Sequence, residues 1–101
     1  MKGFVWKLMD GRYVTIDSSF EIKDSIFYKA VVYQQEEGPN KNQWACLIFD
    51  RDATDYVPIK LYYFTGYNKK TGLFSSLRNA KLAVDIYFHH PHWKALMIQS
   101  Q

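Results

Sequence analysis

The chain changes period in the stretch Gly72-Leu73-Phe74-Ser75-Ser76-Leu77-Arg78-Asn79-Ala80-Lys81-Leu82-Ala83-Val84-Asp85-Ile86-Tyr87-Phe88-His89-His90-Pro91. Leu73, Leu77, Ala80, Val84 and Tyr87 recur at helical spacing, with Lys81 and Asp85 on the opposite, wet side. Ser75 or Ser76 supplies an N-cap oxygen. Pro91 disfavours helical backbone in the residue before it and stops the helix at or before His90. The spacing predicts one helix over about 75–89. Arg78 and Lys81 fall near the positive end of its dipole, a mildly unfavourable placing that singles both out.

Outward from the helix, everything reads as strand and turn. Trp93 to Ile98 alternates and predicts a last strand. Upstream, Gly66 to Gly72 is a polar loop, and Val57 to Thr65 a strand that begins at an edge or just after Pro58, which has no amide to donate. Asp50 to Asp55 is another polar loop, preceded by a strand over about Gln43 to Phe49. Glu36 to Asn42, with Gly38 and Pro39, is the clearest loop of all. Ile26 to Gln34 carries apolar groups on both faces, Ala30 and Val32 against Val31 and Tyr33, as a central strand does. Phe20-Glu21-Ile22 is a short strand or an anchored loop. Asp10-Gly11 between Phe4–Met9 and Arg12–Asp17 is a hairpin signal, because a type I′ turn needs positive φ at both central residues. One face of that hairpin is expected to be dry. Runs of strands followed by one helix make an α+β domain. We expect an antiparallel sheet of about five to six strands, one helix packed on one face, and a C-terminal strand.

The 101 residues suffice for one domain, 1–101. A domain this small needs a dense core, and 48% hydrophobic and 18% aromatic residues supply it. Eight Tyr, seven Phe and three Trp exceed what so small an interior accepts, so some rings are expected at the surface, where they favour a partner. The net charge of +3 is milder than that of a dedicated nucleic-acid binder. A lone cysteine, Cys46, forms no internal disulfide, and its apolar run Trp44–Phe49 makes it a small buried hydrophobe rather than a nucleophile. No stretch approaches the ~20 apolar residues of a membrane span, and Met1-Lys2-Gly3-Phe4 lacks a signal-peptide core, so a cytoplasmic protein is expected.

Trp44-Ala45 in a strand, then Gly72-Leu73-Phe74-Ser75-Ser76, then Ala80-Lys81 and Ala83 in a helix, form an outline with a familiar look. It resembles small phage-borne and bacterial proteins in which Gly-x-Phe-x-Ser/Thr leads into a helix bearing Ala-Lys. It is also similar to the strand-strand-strand-helix arm domains of phage-type integrases, whose sheet enters the DNA major groove. The resemblance covers about 44–85, under half the chain. Packing explains the same residues: Phe74 anchors the helix start and Ala80 lets the helix approach the sheet. The basic strand residues of integrase arms are thin here, Lys60 being the main one, and no binding residues carry over. The resemblance implies a phage or mobile-element protein.

Three constellations are candidates for chemistry. His89-His90-Pro91-His92 offers imidazoles that can hold a metal, with Asp85 one helical turn before His89; histidines set against a helix C-terminus explain them equally. Asp50, Asp52 and Asp55 can bind a hard cation, but the segment departs from the EF-hand pattern, with no Gly at the sixth position and Leu61 at the twelfth, and Arg51 competes. A solvated turn accounts for it. Lys29, Lys60, Tyr62, Tyr67, Lys69, Lys70, Arg78 and Lys81 interleave cations and rings, which suits a protein interface or single-stranded nucleic acid. Catalytic motifs such as Gly-x-Ser-x-Gly or a phosphate-cradling glycine loop are absent, and no cofactor is implied. The expected function is a non-catalytic binding protein acting on a protein or protein–nucleic-acid complex, an inhibitor of a bacterial defence complex of the anti-CRISPR type being the occupation the resemblance suggests. A DNA- or RNA-binding domain is the alternative, and a small metal-dependent nuclease using Asp50, Asp52 or the histidines is a third.

Overall fold

The computed structural model describes residues 4–16, 21–22, 25–26, 29–49, 55–61 and 64–97. The chain runs β1 (Val5–Met9), β2 (Arg12–Ile16), β3 (Glu21–Ile22), β4 (Ser25–Ile26), β5 (Ala30–Gln34), β6 (Trp44–Ile48), β7 (Val57–Pro58), β8 (Tyr67–Asn68), β9 (Leu73–Phe74), α1 (Leu77–His89) and α2 (Pro91–Met97). This is the expected α+β class. Among the described residues the main sheet has seven strands in the order β1-β2-β5-β6-β9-β8, with β7 also on β6, and all its pairings are antiparallel. β3 and β4 form a separate two-stranded ribbon.

The first hairpin is built as its turn residues require. Asp10 and Gly11 have φ of 51° and 79°, the positive pair of a type I′ turn, which closes β1 onto β2 from Met9↔Arg12 to Val5↔Ile16. β5 is the central strand its two apolar faces predict, lying between β2 and β6 with Ala30 and Val32 fully buried. The Gln35 amide donates to the Gln43 carbonyl (2.8 Å) and the Asn42 amide to the Gln35 carbonyl (2.9 Å), closing the polar loop between β5 and β6.

α1 packs on β5, β6 and β9. Ala80, Ala83 and Val84 meet Ala30, Val32, Cys46, Ile48 and Phe74 in one core, which Ile59 and Leu61 complete. Small side chains on the helix permit close approach; Phe74, fully buried, fills the space beneath its first turn. Ser76 is the N-cap, its Oγ accepting from the Asn79 amide at 3.2 Å. Gly66 sits under that cap at φ +81°, and a Cβ there would meet the Asn79 side-chain amide and, at 2.9 Å, Ser75 Oγ. The helix end can close over this loop only because residue 66 is glycine.

Four expectations need correction. The segment from Trp93 is not a strand: it lies in α2. Pro91 ends α1 yet starts α2, since its fixed φ and missing amide suit a first helical position, and the Lys94 amide donates to the His90 carbonyl at 2.8 Å. Lys94, Ala95, Leu96 and Met97 are all strong helix formers, which outweighs a loose alternation. Leu73 belongs to β9 rather than the helix, because the stretch from Gly66 to Gly72 is not all loop but carries β8 and the turn of a hairpin, with Tyr67↔Phe74 and Asn68↔Leu73 paired. Of the strand expected from Val57 to Thr65, Val57–Pro58 pairs with β6 and the Ile59 amide donates to the Cys46 carbonyl (3.0 Å); beyond Leu61 it runs into residues 62–63, outside the described set. Finally, the first hairpin is dry only on β2. On the helix side Thr15 is buried but Leu8 is 59% exposed, and on the opposite side Val14 is buried but Val5 is 64% exposed. The cause is placement: β1 is the outermost strand, and α1 packs on β5, β6 and β9 instead.

Candidate functional site

Two surfaces gather the residues singled out in the sequence. The first lies between β1 and α1. Directly paired residues share a face, so Trp6 and Leu8 stand with Thr15 and Tyr13 on the helix side of the sheet. Phe4 and Trp6 from the strand end, with Leu77, Arg78, Lys81 and Leu82 from the helix, line a shallow groove of about 490 Å³. Lys81 is held over the rings, its Nζ 4.2 Å from the Tyr13 centroid and 5.7 Å from that of Trp6. This cation–ring packing answers the conflict with the helix dipole, since attraction to two ring faces offsets repulsion from the N-terminal end. Arg78 is exposed on the rim. Asp85 closes the groove: its Oδ1 accepts from the Phe4 amide (2.6 Å) and lies 4.0 Å from His89 Nδ1. Phe4 is further packed against Trp6, Phe88 and His89. Lys29 Nζ lies 5.8 Å from the Phe4 ring centroid and 5.4 Å from that of Phe88, beside this surface.

The second surface is the β8–β9 hairpin. Lys60, Tyr67, Lys69 and Lys70 line one hollow of about 420 Å³, and Tyr67, Lys69 and Lys70 continue into another of about 660 Å³ that reaches Gln43 and Ser75. Asn68 builds the turn, its Oδ1 accepting from the Lys70 amide at 2.9 Å. Tyr67 is anchored: its ring lies 4.9 Å from Phe74 and its hydroxyl donates to the Ile59 carbonyl at 3.1 Å. Burial pushes that hydroxyl above its ordinary pKa, partly opposed by a backbone hydrogen bond with Leu61. Tyr67 is thus a support for the hairpin.

The eight cation-and-ring candidates therefore divide. Lys60, Tyr67, Lys69 and Lys70 come together; Arg78 and Lys81 form part of the β1/α1 groove, with Lys29 beside it; Tyr62 lies outside the described residues. Sequence reasoning missed Phe4, Trp6, Leu8 and Leu82 as surface residues. Alternation alone placed the strand residues in a dry face, and only the strand order reveals the open edge.

The remaining candidates carry less. Asp50 and Asp52 lie outside the described residues. His89 ends α1, His90 is its C-cap and His92 is in α2; among the described residues no group of three or more His, Cys, Asp or Glu is arranged to hold a metal ion. Cys46 is 2% exposed, and burial drives its thiol far above the ordinary range. It is packing, not a nucleophile. Among the described residues no helix is long and apolar enough to cross a membrane. The chain matches no family model, no curated protein and no solved structure.

Proposed function

We propose that this chain is a non-catalytic binding domain that acts on another protein, alone or within a protein–nucleic-acid complex, through its β1/α1 surface. The observation that carries this reading is the pairing of exposed Leu8 and Leu82 with a groove of rings and cations, Trp6, Arg78 and Lys81, beside an outermost strand. Apolar side chains and rings with Arg at their rim are the composition of a protein contact. The occupation we assign within that class, an inhibitor of a bacterial defence complex of the anti-CRISPR type, takes its support from the resemblance over 44–85. Tagged full-length chain in bacterial lysate should retain a stoichiometric partner, and Arg78→Glu with Lys81→Glu should release it. Retention of the same partner by the double variant would remove this surface from the proposal.

A second reading, nucleic-acid binding, is favoured by Lys60, Lys69 and Lys70 around Tyr67. If it holds, affinity for single-stranded DNA or RNA falls steeply with salt, and Lys69→Glu with Lys70→Glu reduces the slope of log K against log salt by about 1.4 for single strands. A flat salt response, or no binding at low salt, ends it.

A further inference from the structure

Among the described residues β1 ends the sheet, and the hairpin fixes which of its backbone groups point away from β2. A two-residue type I′ turn makes the closing pair, Met9↔Arg12, a hydrogen-bonded pair. Alternation then makes Lys7↔Val14 and Val5↔Ile16 hydrogen-bonded as well, and turns the N–H and C=O groups of Leu8 and Trp6 outward. Phe4 has the same parity, and its outward amide already takes an acceptor, the Asp85 carboxylate at 2.6 Å. The next two outward amides, of Trp6 and Leu8, have no acceptor among the described residues. Their side chains stand on the same face as the β1/α1 groove.

We propose that β1 accepts an extended, acidic segment of another protein as an added strand, its alternate side chains entering the β1/α1 groove. Backbone pairing to Trp6 and Leu8 supplies affinity, and the groove reads side chains. Charge selects the occupant on both faces of the added strand: Arg78 and Lys81 line the helix side, and exposed Lys7 stands on the other. Asp85, the one acid lining the groove among the described residues, is committed to the Phe4 amide. A second copy of this chain fits worse. Antiparallel pairing of β1 with itself over all five residues sets Lys7 opposite Lys7 in a close, non-hydrogen-bonded pair, where like charges repel.

The inference rests on the protein-binding reading above and is tested separately from it. The probe is a blocked pentapeptide alternating Val and Glu, titrated into the full-length, isotopically labelled chain. Expected are amide shifts and slowed hydrogen exchange centred on Trp6 and Leu8. Replacing Glu by Lys in the peptide should weaken binding by about tenfold or more, and N-methylating its backbone should abolish binding. Leu8→Pro removes an outward amide without losing a β1–β2 hydrogen bond, so it should fold and fail to bind; the N-methylated peptide makes the same test without altering the chain. No response to the peptide, or a response unaffected by N-methylation, overturns strand addition. So does protection of Trp6 and Leu8 that grows with the concentration of the chain alone. A lysate partner lost on Arg78→Glu/Lys81→Glu but kept by Leu8→Pro overturns it while leaving the protein-binding reading in place.

Discussion

β1 and β6 are each five residues long, mostly apolar, with a tryptophan at or near the start, yet they do opposite things. β6 is hydrogen-bonded to β5 on one side and to β7 and β9 on the other, and it lies under α1; Ala45, Cys46 and Ile48 are buried. Among the described residues β1 has one neighbour, β2, and no residue of it is fully buried. Position in the sheet, rather than composition, separates an apolar strand that holds the fold together from one whose side chains are left largely exposed. The largest effect that tests this belongs to β6. Ile48, 3% exposed, packs in the central core, so Ile48→Ala should cost about 2–4 kcal/mol through lost transfer energy and an unfilled cavity. Chemical denaturation measures it. A cost below about 1 kcal/mol would place the stabilising core elsewhere than under α1.

Cys46 sharpens the same contrast through pH. Its folded pKa lies above the ordinary value of 9.0 because burial disfavours the thiolate. A raised folded pKa means that the neutral thiol's contribution is fully present below about 9 and declines as pH rises above it. Wild type should therefore lose stability relative to Cys46→Ala by up to about 1.4 kcal/mol per pH unit above that point. Parallel curves for the two proteins would mean that the thiol is reached by water in the folded state.

Much of the fold was open to sequence reading, and the part that was not has a specific cause. Local chemistry wrote the Asp10-Gly11 turn, the Ser76 cap, the stop at Pro91 and the burial of Cys46, because each depends on backbone preference or on immediate neighbours. The β8–β9 hairpin was hidden because Leu73 fits a helical period by accident and two-residue strands carry almost no alternation. α2 was hidden because Pro91 signals an end more strongly than a beginning. The edge position of β1 was not legible at all. It follows from the strand order, set by pairings such as Tyr13↔Val32 and Trp44↔Phe74 between residues far apart in the chain. Alternation says that a strand has an apolar face, not what that face meets. Arg78 and Lys81 were picked out by their conflict with the helix dipole, and both proved to line the groove; Phe4, Trp6 and Leu8 carried no such local anomaly.

The smallest expected effect is the most discriminating. Leu8 is 59% exposed on the outermost strand, so truncation to Ala removes little area that folding takes from water, and Leu8→Ala should change stability by no more than about 0.5 kcal/mol. The same chemical change in a buried leucine costs several times as much, about 2–5 kcal/mol. If the variant instead loses about 1.5 kcal/mol or more, Leu8 is covered in solution by another part of the chain or by another molecule. Denaturation at two protein concentrations tenfold apart then identifies the cover. Stability that rises with concentration indicates a second copy across β1, because association draws the equilibrium toward the folded state by mass action. A concentration-independent loss means that β1 is part of the core after all. Only a near-neutral Leu8→Ala beside a costly Ile48→Ala leaves β1 as a strand whose apolar face contributes to contact with another molecule rather than to folding.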